Sequence, residues 1–268
     1  MYDLLPWIPS LLLHVVRAGA FFIALQVFGT QGESRMLRLV LSVSLASILW
    51  WVDDDKLLRE LVEGQRGIDL IRAGGWLTLG VLVAVDAMVG FAAGFAAGMI
   101  SHAMSTAGEV ISHDMGFAMA EVMDPITGRS SAVMSQLFQT IVILLVLSYD
   151  LHHGFIRILA RSSQLVPVGH GFDIGPVFGR LNSLIALSID AALRYAFPLM
   201  GVMVLLTAVL VVLARAIPNI NLMEFSFGLR ILVAIFAAVF FLAEGMPFLA
   251  SFANSVIGSG MRLFEGAF

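Results

Sequence analysis

Residues Leu184–Ala214 read LIALSIDAALRYAFPLMGVMVLLTAVLVVLA, with only Asp190 and Arg194 charged. A membrane-crossing helix needs about 20 mostly apolar residues, so this run is long for a single span. In water such a surface would form one large apolar patch. Outward along the chain, five further runs have the same character: Leu4–Phe28, Leu37–Val52, Leu77–Ile100, Val133–Ser148 and Leu229–Val256. Six apolar segments with short connections predict an all-α membrane protein built of helical hairpins, some of them kinked.

Composition supports that class. Of 268 residues, 59% are apolar and 13% charged, and the mean hydropathy is +0.95. Soluble domains run roughly 45–50% apolar and about 25% charged. Disorder and a nucleic-acid-binding role are excluded, since the net charge is −4 and the pI about 5.8. With no cysteine there is no disulfide, thiolate chemistry or cysteine-held metal. The N-terminus, Met1-Tyr2-Asp3-Leu4-Leu5-Pro6, lacks a basic region, and no small-residue cleavage site follows. Leu4–Phe28 is therefore expected to be retained rather than removed as a signal peptide. Basic residues divide almost evenly. Arg35, Arg38, Arg129, Arg215 and Arg230 fall on one side, and Lys56, Arg59, Arg66, Arg72, Arg157, Arg161 and Arg180 on the other. The positive-inside rule therefore sets no orientation.

Away from the ends of the apolar runs lie five charges: Arg17, Asp86, Asp190, Arg194 and Glu244. At the bilayer centre each costs at least ~2.5–3.5 kcal/mol. Asp190 and Arg194, spaced i,i+4, can pair on one helix face. Arg17, Asp86 and Glu244 each need another helix or another chain. Two readings follow: a proton or ion relay, or glue between helices, including those of neighbouring subunits. Relays usually repeat acids along one face, and that repetition is missing here. Gly90, Gly94 and Gly98 recur every fourth residue, a stripe that lets helix backbones approach closely.

Ser105–Pro125 reads STAGEVISHDMGFAMAEVMDP. Its apolar residues Ala107, Val110, Ile111, Met115, Ala118, Met119 and Val122 follow a helical period. Glu109, Ser112, His113 and Gly116 take the other face. Asp124-Pro125 ends the helix and Ile126-Thr127-Gly128 turns the chain. A half-polar helix is thus expected after a fully apolar one. It suits the membrane interface, a cavity wall or an amphipathic loop helix on the membrane surface.

Catalytic and metal motifs are missing: there is no HExxH, no Gly-x-Ser-x-Gly and no P-loop. His152 and His153, being adjacent, are expected to diverge around a helix and not to chelate together. No metal or cofactor is expected. Pro198 predicts a kink or a split in the fifth run. Pro167–Pro176 reads as a loop, and Arg215-Ala216-Ile217-Pro218-Asn219-Ile220-Asn221 as the turn of a helical hairpin. The 14 methionines suit core filling or a surface that re-packs.

Taken in order, several motifs resemble the FliR family of flagellar export proteins, related to the SctT proteins of injectisomes. They are Thr106-Ala107-Gly108-Glu109-Val110-Ile111, then Met115-Gly116, then Asp124-Pro125 with Thr127-Gly128. Upstream, Asp86-Ala87-Met88-Val89-Gly90 with Gly94-Phe95 is similar to the family's acid-then-glycine run. Downstream, Asp150-Leu151-His152-His153-Gly154, Ser162 and Pro167-Val168-Gly169 resemble its Gly-His-His region, its serine and its Leu-Pro-x-Gly loop. Arg17, Pro198, Arg215, Pro218 and Asn221 also fall at family positions. Asn219 stands where the family has glutamine, and Ser226-Phe227-Gly228 replaces its Gly-Phe-Pro. His113-Asp114-Met115-Gly116, in place of an injectisome Gln-Arg-Gly, favours the flagellar branch.

The resemblance implies a non-enzymatic subunit of a type III export gate in the bacterial inner membrane, at the flagellar basal body. It implies assembly with FliP and FliQ beside FlhA and FlhB, contact with lipid, and passage of unfolded export substrates. Residues 1–175 would be the FliP-like part, with a plug segment at 106–125, and residues 176–268 the FliQ-like bent hairpin. Met115, Gly116, Phe117 and Met119 would close the pore by apolar contact. Arg17, Asp86, Asp190, Arg194 and Glu244 would serve subunit contacts, and Gly90, Gly94 and Gly98 helix packing. The rival from the residues alone is an ion-coupled small-molecule transporter, with a midplane site near Asp190, Arg194 and Pro198. An intramembrane enzyme, a further rival, would need a nucleophile and base that no motif supplies.

Overall fold

The computed structural model describes residues 7–25, 35–63, 66–114, 133–216 and 222–267. Seven helices occupy them: α1 (Trp7–Leu25), α2 (Arg35–Glu63), α3 (Arg66–Asp114), α4 (Val133–Ser148), α5 (Leu151–Leu165), α6 (Ile174–Ala216) and α7 (Leu222–Met261). The described part of each of the six apolar runs falls on one of these helices. The seventh, α5, is amphipathic. It buries Leu151, Phe155, Ile158 and Leu159 and leaves Arg157, Arg161 and Gln164 in the open. Such a helix carries no continuous apolar run to mark it.

Length is the first point of difference. Among the described residues, two helices are long and apolar enough to cross a membrane, in stretches Gly80–His113 and Ile174–Ala216. The number rises to four if 137–148 with 151–165, and 228–241 with 244–261, each count as one interrupted span. A count of six simple spans therefore does not follow from six apolar runs. The described parts of the first two runs, Leu11–Leu25 and Arg38–Val52, are short apolar helices.

Three local expectations are corrected. The stretch before Asp114 is not a separate half-polar helix, because α3 runs unbroken through it. Of the kink or split expected at Pro198, the split is excluded, since α6 continues through it. The break falls instead in α7, between Phe241 and Glu244. Pro247 lies one turn beyond, and a proline inside a helix disfavours the turn that precedes it. Finally, the loop from Pro167 ends at Asp173. The Asp173 carboxylate accepts the Gly175 N–H at 3.0 Å and caps α6. Pro176 sits harmlessly in the first turn, where no N–H partner is needed.

The chain divides into two compact units. One draws on Met1–Met99, Asp150–Leu184 and Ser255–Phe268. Here α1 packs against α2, and α1 lies against the glycine stripe of α3. A Cβ on Gly90 would collide with the Arg17 carbonyl oxygen, and one on Gly94 with that of Phe21; on Gly98 it would lie 2.8 Å from that of Leu25. The two helices advance together at a constant offset, so they run in the same direction. Small residues permit this backbone contact, since any side chain would wedge the helices apart. In the same unit, Gly154 and Gly260 of α5 and α7 admit Ile257 and Ile158 respectively. Arg180 of α6 donates to the carbonyls of Leu263, at 3.0 Å, and Glu265. Phe172 meets Phe264 edge-on.

The other unit draws on Ile100–Tyr149 and Ile185–Asn254. Ala103, Met104, Ala107 and Ile111 of α3 are buried with Phe138, Val142 and Leu145 of α4. Tyr195 of α6 meets Phe138 edge-on, with ring centroids 5.7 Å apart. A Cβ on Gly245 of α7 would lie 2.5 Å from the Tyr195 ring, so that glycine is what lets α7 seat there. Much of the apolar surface of α6 and α7 stays exposed, including Val204, Leu205, Val212, Phe236 and Phe240.

Candidate functional site

The buried centre of the first unit is an ion pair between α1 and α3. Arg17 and Asp86 are 2% and 0% exposed. Arg17 Nε donates to Asp86 Oδ1 at 2.9 Å, and Nη2 donates to the same oxygen. Arg17 Nη1 donates to the Val166 carbonyl at 2.8 Å. Asp86 Oδ2 accepts the Gly169 N–H at 3.1 Å. One pair thus ties together two helices and the loop after α5.

The loop is shaped to reach it. Val166 closes α5 in an extended conformation, its N–H bonded to the Ser162 carbonyl. Helix geometry ends there, so its own carbonyl is free to accept from Arg17. Gly169 has φ +79°, which a side chain would strain, and it turns its N–H toward Asp86. The Pro167 carbonyl accepts from His170 N at 3.2 Å, completing the turn. All groups that ionise here have partners, which is the condition under which burying a charge pair is tolerable. The arrangement is a clamp: both oxygens of Asp86 are engaged, so the pair has the form of glue rather than of a relay.

Of the two routes left open for Arg17 and Asp86, the structure uses another helix of the same chain. Two lone charges of opposite sign in different apolar runs were the signal for that pairing. Nothing in the residue pattern indicated that Val166 and Gly169 would complete it.

The other described charged candidates fall in the second unit. Asp190 and Arg194 pair on α6, Nε to Oδ2 2.7 Å, yet are 53% and 66% exposed. Glu244 is exposed at the break in α7. On the last turns of α3, Glu109 and His113 are exposed while Gly108 and Ser112, one of them placed on the polar face by periodicity, are buried. Gln139 donates to Ser105 at 3.2 Å, so a polar contact joins α3 to α4 there. Met115, Gly116, Phe117 and Met119 lie outside the described residues, as do the Asp124-Pro125 and Ile126-Thr127-Gly128 turn and Ile217–Asn221.

One expectation about the histidines is overturned. The rings of His152 and His153 do not diverge; their centroids are 4.2 Å apart. Both residues lie in the first turn of α5, and helical side chains lean toward the N-terminus. That lean carries both rings toward Asp150.

The sequence matches the family described as "Bacterial export proteins, family 1" over residues 8–257. The chain belongs to that family. Among its relatives is "Flagellar biosynthetic protein FliR" of Bacillus subtilis (strain 168), 28% identical over 240 residues, covering 87% of this chain and 86% of the relative. The protein of the same name from Buchnera aphidicola subsp. Schizaphis graminum is 22% identical over 246 residues, covering 91% and 89%. That of Borreliella burgdorferi is 28% identical over 185 residues, covering 68% and 67%. The family match and the helices long and apolar enough to cross a membrane agree on a membrane-embedded bacterial export protein. The transporter reading finds no support. It required a broken helix beside Asp190 and Arg194, and α6 is continuous there.

Proposed function

We propose that this export-family chain is a core, non-enzymatic subunit of the flagellar type III export gate. It forms and plugs the conduit for unfolded substrates in the bacterial inner membrane, at the basal body. The observation that carries the reading is the family match over residues 8–257. FliP and FliQ are its partners in the gate, with FlhA and FlhB beside it and lipid around it. Residues 1–175 act as the FliP-like part and 176–268 as the FliQ-like part.

Physical features support a subunit rather than a lone machine. Asp190, Arg194 and Glu244 are exposed on apolar helices. Charges in that setting demand protein or water, not lipid. They serve subunit contacts, whereas Arg17 and Asp86 hold the subunit itself in shape. Met115, Gly116, Phe117 and Met119 form the plug, closing the path by apolar contact and dewetting. The sequence carries no nucleophile–base or nucleotide motif, consistent with transport without bond chemistry.

Native mass spectrometry of the tagged chain, co-expressed with its chromosomal neighbours, tests the assembly. One copy within a much larger hetero-oligomer is expected, and a stable lone monomer or homodimer would refute it. Gly116→Asp tests the plug. Loss of flagellar protein secretion from an intact complex is expected, and unchanged secretion would remove the plug assignment.

A further inference from the structure

We propose that the N-terminal turn of α5 binds a divalent metal ion of the zinc class through Asp150, His152 and His153. Each of the three offers one ligand atom, and these atoms all lie within 4.8 Å of one another. Around a tetrahedral zinc ion, with bonds of about 2.0–2.2 Å, ligand atoms stand roughly 3.4 Å apart. Asp150 and His153 are exposed, so small rotations of free side chains close the difference.

Three independent features converge on the turn. Asp150 occupies the N-cap position of α5, yet its side chain makes no capping hydrogen bond. Aspartate is among the best capping residues, yet here its carboxylate is left unused by the helix N–H groups. Asp150 is also the one described non-glycine residue with positive φ, at 54°. That left-handed conformation is uncommon outside glycine, asparagine and aspartate. Last, Nδ1 of His152 is shielded from solvent and has no hydrogen-bond partner. A buried polar atom left unpartnered is costly, and such exceptions call for a cause. A metal ion, approached by the neighbouring ring of His153 and by an anionic oxygen, supplies one.

The donor set suits the ion. Imidazole nitrogen and carboxylate oxygen are both ordinary zinc ligands, and three protein ligands leave a position for water. The ion would tie residue 150 to the first turn of α5 and neutralise the carboxylate. Its role would be to staple the turn, because only binding to the folded state adds stability. No bond chemistry is implied.

The test titrates zinc ions into the full chain, purified in its co-expressed complex without a polyhistidine tag, against a chromophoric chelator. One saturable equivalent per chain is expected. His153→Gln and Asp150→Asn should each weaken it by at least about tenfold, and His152→Gln likewise, since each removes one ligand. A zinc-dependent rise in melting temperature, present in the native chain and lost in His153→Gln, should accompany it. His153 and Asp150 are exposed, so these two variants remain informative if His152→Gln folds poorly. Failure to find a saturable equivalent in the native chain would overturn the proposal, as would undiminished binding in both His153→Gln and Asp150→Asn.

Discussion

Two ion pairs sit on apolar helices of this chain and behave in opposite ways. Arg17–Asp86 joins α1 to α3, is almost wholly buried and has backbone partners on both members. Asp190–Arg194 stays on a single helix with more than half of each side chain exposed. The helices differ in the same sense. Of the most apolar 18 residues in Gly80–His113, 44% are buried, against 22% in Ile174–Ala216. The first pair is internal cement. The second is a charge presented outward on a surface that is otherwise apolar, with Ile189, Leu193 and Phe197 exposed around it. Charge inside a hydrophobic segment thus has two meanings, separated in the sequence only by spacing: i,i+4 for the outward pair and 69 residues for the buried one.

The largest effect expected is from breaking the internal pair. Arg17→Ala or Asp86→Ala leaves an uncompensated buried charge and should cost about 3–5 kcal/mol. Thermal unfolding in mild detergent should show this as loss of most folded protein. The double variant Arg17→Met/Asp86→Leu should be less damaging than either single change, because no orphan charge remains. A single variant of near-native stability would erase the contrast between the two pairs.

Next in size is the glycine stripe that brings α1 close enough for the pair to form. Gly94→Ala places a Cβ against the Phe21 carbonyl and should cost about 1–3 kcal/mol by forcing the helices apart. Gly98→Ala, with 2.8 Å to the Leu25 carbonyl, should cost less. Chemical denaturation midpoints would rank them, and the reverse order would mean that the helices do not meet along this stripe.

Gly169→Ala probes the third arm of the clamp. At φ +79° a Cβ costs roughly 1–2 kcal/mol of backbone strain, while the space beside it, 3.7 Å from Leu13, is adequate. Proteolysis at the 166–173 loop should rise in this variant before global unfolding does.

The smallest effect on folding is expected at the outward pair. Asp190→Ala and Arg194→Ala should change the stability of the isolated chain by only about 0.3–0.5 kcal/mol, the scale of an exposed i,i+4 pair. Their effect should fall on recovery of the larger assembly, read from the co-purified complex. A strong folding defect with normal assembly would put Asp190–Arg194 in the same class as Arg17–Asp86.

The class of the protein was written in the sequence because the physics is local. Apolar residues in runs of membrane length become helices, since no other element satisfies its own backbone away from water. Thus Val133–Ser148 is at once a run in the sequence and a helix in the structure. The ordered motifs from Asp86 to Asn221 pointed in the same way to the family. Helix α5 escaped because an amphipathic face is not a run. The breaks were legible as residue types but not as places: Pro198 passes within a continuous helix, whereas α7 breaks near Pro247.

What tertiary structure alone decided is partnership. Arg17 and Asp86 are 69 residues apart and Arg17 is 149 from Val166; no periodicity along one helix encodes which distant charge or carbonyl will meet. That choice follows from backbone approach at Gly90, Gly94 and Gly98, and from a left-handed glycine turning one N–H inward. The same holds at the start of α5, where rotamers lean toward the helix N-terminus and bring together two rings that helical spacing separates. Composition sets which solvent a segment prefers. Only packing sets which of its polar groups find each other, because hydrogen bonds act over about 3 Å and depend on the position of every intervening backbone.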